Sequence, residues 1–316
     1  MCGIIGYVLN RGTDPSGLEE ATDLLAHRGP DDRGTVDFTL ANSGHHVGLG
    51  HTRLSIHDLS CAGHQPMSNE TGRIWICYNG EVYNFKSLRD ELRGKGYTFN
   101  SGTDTEVVLR AYEAWGLDCL QRLDGMFAFS ILDLDKEQVL VARDRLGIKP
   151  LYVSETDHGI AFSSEVKGLF RLPWIECGPN WEVLLSHILF LWAPEPETAF
   201  QGIRKLPAGH YMLCKGGKTS VEPYWSLRPT SLEVENRSSA VKGMEETLRS
   251  SVLDRTVADV PVGALLSGGL DSSLISAMLA QNATEQLTTY SISYRQDDRA
   301  FEAMPDDSHY ARVVAE

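Results

Sequence analysis

Apolar residues along this chain follow two regimes. From Gly3 to about Tyr211 they come in short runs separated by glycine-bearing turns, which predicts strands over 3–9, 46–51, 73–78, 126–132, 138–143 and 159–163. Two segments follow helical spacing instead. Leu88 and Leu92 predict a helix over 85–94, and Val108, Ala111 and Tyr112 predict another over 105–115 with Asp104 as its N-cap. This pattern implies an α/β layered domain built on antiparallel sheets.

A second regime begins past residue 213. Gly216, Gly217, Pro223 and Pro229 stand among charged and hydroxylated residues, a linker composition. A helical stripe (Val241, Met244, Leu248, Val252) follows, then a strand over 262–266, a glycine turn, a helix over 273–281 and a strand over 288–293. Strand, helix and strand at this spacing begin a parallel sheet. The expected organisation is a first domain over 2–213, a linker over 214–238 and a second domain over 239–316. A doubly wound sheet needs several βα units and only about two fit, so the second domain reads as the N-terminal part of a larger one.

Composition narrows the function. The 316 residues suit two domains, each large enough for its own core. A net charge of -14 with no basic block argues against nucleic-acid or anionic-membrane partners. No apolar run is long enough to span a bilayer and nothing resembles a signal peptide, so a cytoplasmic protein is expected. The 6 cysteines are scattered without a C-x-x-C pair, which speaks against disulfides and zinc. His45, His46, His51, His57 and His64 lack the pairing of known metal motifs and read as surface or loop histidines.

Two segments carry chemistry. At the start, Met1-Cys2-Gly3-Ile4-Ile5 would, once Met1 is removed, put a thiol and an α-amino base on one residue. Further on, Ser267-Gly268-Gly269-Leu270-Asp271-Ser272-Ser273 lies between the apolar strand and a helix. Small residues there let backbone N–H groups converge on an anion at the helix N-terminus. The segment is neither a Walker loop nor a dinucleotide fingerprint.

Together these segments resemble glutamine-hydrolysing asparagine synthetase. The first domain resembles a class II glutamine amidotransferase, an N-terminal-nucleophile hydrolase of αββα sandwich fold. Cys2-Gly3, the 27–31 run His-Arg-Gly-Pro-Asp, Arg53-Leu54-Ser55-Ile56, residues 78–84, Thr103-Asp104-Thr105-Glu106 and residues 142–150 carry the likeness. The glycine turn matches the pyrophosphate loop of ATP-pyrophosphatases, the fold implied for the incomplete second domain.

The resemblance implies Cys2 as nucleophile, with the Asn79 amide and Gly80 N–H as oxyanion hole. Arg53 would grip the glutamine carboxylate, Asp104 and Glu81 would take its ammonium, and Leu54 and Ile56 would complete the site. ATP would meet Leu266, Ser267, Gly268, Gly269, Asp271, Ser272, Ser273 and Ile292, with Asp271 as a Mg²⁺ ligand. The implied reaction is amidation of aspartate by glutamine-derived ammonia, through an acyl-adenylate, and a homodimer is compatible with it. The chain as it stands is expected to carry the glutaminase half only. Alternatives are the same chemistry on a sugar acid or peptide, ring closure of the β-lactam synthetase kind, and a non-catalytic scaffold or sensor. One departure stands out: many relatives carry a small aliphatic residue where this chain has His57.

Overall fold

The structure, a computed structural model, describes residues 1–229, 236–283, 285–293 and 307–316. It divides into two compact units, Met1–Arg228 and Pro229–Glu316.

Two antiparallel six-stranded sheets form the first unit. One runs in the order β10-β8-β9-β1-β3-β2, from β1 (Gly3–Leu9), β2 (Asp32–Thr39), β3 (His46–Arg53), β8 (Tyr152–Thr156), β9 (Gly159–Ser163) and β10 (Ile203–Lys205). The other runs β12-β11-β7-β6-β5-β4, from β4 (Met67–Ser68), β5 (Ile74–Val82), β6 (Gly125–Asp133), β7 (Gln138–Arg143), β11 (His210–Lys215) and β12 (Lys218–Pro223). Between the sheets Ile4, Leu49 and Phe162 meet Cys77, Ala128, Val139 and Val141. Alternation along β1 turns Ile5, Tyr7 and Leu9 to the opposite face. There they pack on Leu18 and Ala21 of α1 (Leu18–Asp23) and Leu169 of α5 (Val166–Phe170). Outside the second sheet lie α2 (Phe85–Gly94) and α3 (Asp104–Trp115), followed by the short α4 (Cys119–Arg122). The unit is the αββα sandwich.

The departures from the sequence pattern concern polar edges and caps. The 214–238 stretch expected as linker opens with a hairpin: Gly216 and Gly217, at φ 56 and 72, turn β11 into β12, and the ladder runs from Lys215↔Lys218 to His210↔Pro223. Every residue of β12 is exposed, so no apolar run announced it. The same half-exposed character hid β2 and β8, while α6 (Trp181–Phe190) is apolar without an amphipathic stripe. Thr103, not Asp104, caps α3, its Oγ1 accepting from Glu106 N, and Asp104 is the first helical residue. The Glu106 carboxylate turns back to the Asn100 and Ser101 N–H groups, a variant of the capping box.

In the second unit α7 (Arg237–Asp254) precedes β13 (Gly263–Leu265), α8 (Leu270–Asn282), β14 (Thr288–Tyr290) and α9 (Ser308–Ala315). β13 and β14 pair in parallel, as a βαβ crossover requires. Its buried apolar residues, among those described, are Val252, Ala264, Leu266, Met278 and Ala311, whereas Leu265 and Ile292 are 78% and 85% exposed. No helix among the described residues is long and apolar enough to cross a membrane.

One buried ion organises the loop after β7. Asp144 is fully buried and accepts from the Leu146, Ile148, Lys149 and Phe127 N–H groups at 2.9–3.2 Å. Arg143 beside it donates to the carbonyls of Gly147, Lys149 and Leu206. Asp144→Asn keeps the shape but sets an amide NH₂ against backbone donors, leaving buried N–H groups unsatisfied. We expect a loss of about 1–3 kcal/mol in denaturant unfolding, and unchanged stability would show that the loop does not depend on this carboxylate.

Candidate active site

The sandwich opens at one end into a cavity of about 220 Å³. Cys2, Arg53, Leu54, Ile56, Asn79, Gly80, Glu81 and Asp104, every residue singled out from the sequence for glutamine, line it. They arrive from β1, the end of β3, the middle of β5 and the start of α3.

Cys2 just precedes β1. The Leu54 N–H donates to its Sγ at 3.4 Å, while the Arg28 Nε donates to its carbonyl at 2.9 Å. Arg28 is itself held by Glu165 at 2.9 Å. Burial pushes the thiol upward, with the Leu54 N–H opposing, and pushes the N-terminal amino group, here Met1's, below its ordinary value. An amine shifted this way spends more time as a free base.

The donors across the cavity follow from strand parity. In an antiparallel ladder a residue's N–H and C=O point to the same side. Phe127 exchanges its hydrogen bonds with Asp144, so its β5 partner Gly80 turns its own N–H away from β6. β4 pairs only with Trp75 and Ile76 and does not reach that edge. Side chains take the neighbouring donors: the Tyr78 N–H goes to Gln65 Oε1 at 2.7 Å and the Val82 N–H to Asp104 Oδ2 at 3.0 Å. Between them, no side chain among the described residues takes the Gly80 N–H. Asn79 is 1% exposed and its Nδ2 is buried with no partner among the described residues. Gly80 is mid-strand, and a Cβ there would overlap the Met126 carbonyl and Phe127 Cα, so glycine is required by β6 itself.

Charge is divided between the cavity's ends. Arg53, 5% exposed, donates to the carbonyls of Ser60, His57 and Asp58 at 2.9, 3.1 and 2.5 Å. Its guanidinium therefore fastens the loop after β3 while keeping donors for a ligand carboxylate. Asp104 accepts from the Tyr78 hydroxyl at 2.7 Å and from Val82, both at Oδ2, which leaves Oδ1 its lone pairs. Burial raises its pKa, and the Tyr78 and Val82 bonds oppose that rise.

Sequence reasoning missed Lys149 and Gln65 here, and singled out His57 without giving it a role. Lys149, buried at the end of the Asp144 loop, lines the cavity, and burial lowers its pKa with Glu81 and Cys2 pulling upward. Gln65 caps the β5 edge. His57 lies in a loop as expected but is 8% exposed, with Nε2 3.4 Å from Glu81 Oε1; His51, on β3 and fully buried with Nε2 3.0 Å from the Tyr78 carbonyl, is neither the surface nor the loop histidine expected. Lys149 lay inside a recognised run, whereas nothing local marks Gln65.

In the second unit a cleft of about 530 Å³ gathers Leu266, Ser267, Ser272 and Ile292 from the expected nucleotide set, with Tyr290, Asp307 and Ser308. Leu266 is tied to β14 through its N–H to the Tyr290 carbonyl at 2.8 Å. Ser267 and Ser272 hydroxyls lie 3.0 Å apart, and the Gly269 N–H meets Ser267 Oγ at 3.4 Å. Gly268, Gly269, Asp271 and Ser273 do not line the cleft. Gly268, at φ 81, is a glycine because a Cβ would overlap the backbone of Tyr310 and Ala311. Asp271 is exposed on the first turn of α8, so the carboxylate that lines the cleft is Asp307 instead.

Comparison with known proteins places this geometry. A glutamine amidotransferase domain family matches residues 1–225 and an asparagine synthase family matches 243–316. The chain is 36% identical to amidase chry2 of Gibberella zeae over 89% of its length and 43% of the relative. It is 34% identical to asparagine synthetase [glutamine-hydrolyzing] 3 of Bacillus subtilis over 96% of its length and 50% of the relative. The chain thus spans about half the length of the curated relatives it matches. Glutamine phosphoribosylpyrophosphate amidotransferase of Bacillus subtilis, solved with ADP and GMP, superposes with a TM-score of 0.54 at 18% identity. The match covers 98% of this chain and 70% of that one, a likeness of fold. The chain belongs to the glutamine amidotransferase family and carries, behind that domain, a segment of the asparagine synthase domain.

Proposed function

We propose that the first unit hydrolyses glutamine at Cys2 and that the whole polypeptide uses the ammonia to amidate aspartate to asparagine, with ATP converted to AMP and pyrophosphate. The observation that carries the first half is the Asn79 Nδ2, buried without a partner among the described residues, together with the Gly80 N–H turned away from β6, in the cavity that Cys2 lines.

With Met1 removed, the Cys2 α-amino group takes the thiol proton and the thiolate attacks the side-chain amide carbon of glutamine. Negative charge moves to the amide oxygen, where Asn79 and Gly80 meet it. The ammonium returns its proton to the amide nitrogen, the C–N bond breaks and ammonia leaves a thioester. Water, deprotonated by the same amine, then cleaves the thioester to glutamate and restores the thiol. Arg53 holds the substrate carboxylate, and Asp104 with Glu81 holds its ammonium.

In the second unit Leu266, Ser267, Ser272 and Ile292, which line the cleft, would meet ATP at the start of α8. The donor set fits a Mg²⁺ borne by the phosphates: Asp307 and the Ser267 and Ser272 hydroxyls line the cleft, and such an ion takes one or two carboxylates beside phosphate oxygens. When bound it would screen charge on the pyrophosphate. The amidase relatives favour a second reading, the same activation applied to another carboxylate. A non-catalytic scaffold would have no use for an unpartnered buried donor set beside a thiol.

Three outcomes are expected. Cys2→Ala should abolish glutamate release without lowering the melting temperature, and mass spectrometry of the wild-type chain should show Met1 gone; residual glutaminase activity would remove Cys2 from its role. Asn79→Ala should lower kcat about 10²–10³-fold with little change in KM, because the donor acts on charge that appears only in the transition state. The 316-residue chain should release glutamate yet show no aspartate-dependent exchange of labelled pyrophosphate into ATP, since the second unit leaves much apolar surface exposed beside its cleft. Robust exchange would place a sufficient synthetase site within these residues.

A further inference from the structure

His57 connects the two ends of the glutamine cavity. Its carbonyl accepts from Arg53 Nη2 at 3.1 Å, and its ring lies 5.2 Å from Phe85 at 50°. Its Nε2 stands 3.4 Å from Glu81 Oε1. The groups around it come from four elements: Arg53 on β3, Glu81 on β5, Asp104 at the start of α3, and Phe85 on α2, whose ring also meets Lys86 and Arg89. Asp58 is its chain neighbour, and Cys2 and Lys149 share the cavity. Glu81 therefore faces the imidazole, and Asp104 shares with them the compartment assigned to the substrate's ammonium.

Resting on the glutaminase reading above, we propose that His57 is a positioning residue that sets how strongly the site holds an ammonium. Neutral, its ring faces Glu81 and leaves Glu81 and Asp104 to the ligand. Protonated, it is a second cation beside the same carboxylates and opposes the incoming ammonium. An imidazole is the side chain whose ordinary titration falls near neutral pH, and an aliphatic residue here could do neither. Binding of an α-amino substrate should weaken as pH falls, beyond the weakening that protonation of Asp104, whose pKa burial raises, brings by itself.

The test compares wild type with His57→Gln, which keeps an amide donor near Glu81 without a titrating charge, and with His57→Val. KM and kcat for glutamine are measured between about pH 5.5 and about pH 8, with melting temperatures for each protein. From the top to the bottom of that range, wild-type KM should rise about threefold or more beyond the rise in His57→Gln, while the two kcat profiles coincide. His57→Val should share the flatter profile. Inhibition by glutaramic acid, which has the carboxylate and amide but no amino group, should depend on pH equally in wild type and His57→Gln. Parallel KM profiles, or the same difference with glutaramic acid, would overturn the proposal while leaving the glutaminase reading intact. No glutamate release from wild type at any pH would instead overturn that reading.

Discussion

A strand that loses its neighbour part-way must satisfy its remaining edge donors by other means, and β5 is such a strand. β4 covers Trp75 and Ile76 and then stops. Beyond it, Gln65 and Asp104 reach in for the N–H groups of Tyr78 and Val82. The Gly80 N–H between them is turned away from β6, and Gly80 lines the cavity. Buried polar groups are nearly always paired, and the Asn79 Nδ2 beside it is an exception, buried without a partner among the described residues.

The charged residues answer to the same constraint. Burying an ion without partners is costly, and here each ion has partners that also fix its place. Arg53 is fastened by three carbonyls of the loop after β3, Asp144 by four N–H groups, and Asp104 by a hydroxyl and an N–H. Each ion is thereby locked by its own framework, which a preorganised site requires. This also changes how Arg53 is understood. A guanidinium reserved for substrate would sit apart from the fold, whereas this one holds the loop that carries His57.

Most of the sandwich was legible because its central strands are apolar on both faces or alternate cleanly, as β1, β6 and β7 do. What escaped was what periodicity cannot mark. β12 is exposed along its whole length and is held by ladder hydrogen bonds, so its residues read as linker. The cap of α3 was misplaced by one position because Thr103 and Asp104 are both good caps, and only the cavity's claim on Asp104 decides between them. The glutamine-site candidates line one cavity. Gln65 was hidden, and what surrounds His57 could not be read, because their partners lie far along the chain, at Tyr78 and Glu81.

The β5 cavity and the Ser267–Ser272 loop differ in how they are braced. The β5 donors belong to a sheet whose inner face packs against a second sheet, so moving Gly80 would mean moving the β5 and β6 backbones together. The Ser267–Ser272 loop depends on hydroxyl contacts among its own residues and on the backbone of α9 pressed against Gly268. Its flanking strand exposes Leu265, and Ile292 beyond β14 is likewise exposed. Burying such side chains contributes about 1.5–3 kcal/mol each, a contribution these positions do not make here. Preorganised donors stabilise developing charge only as well as their framework holds them. The β5 cavity has that framework within its own unit, and the Ser267–Ser272 loop draws on far less of it.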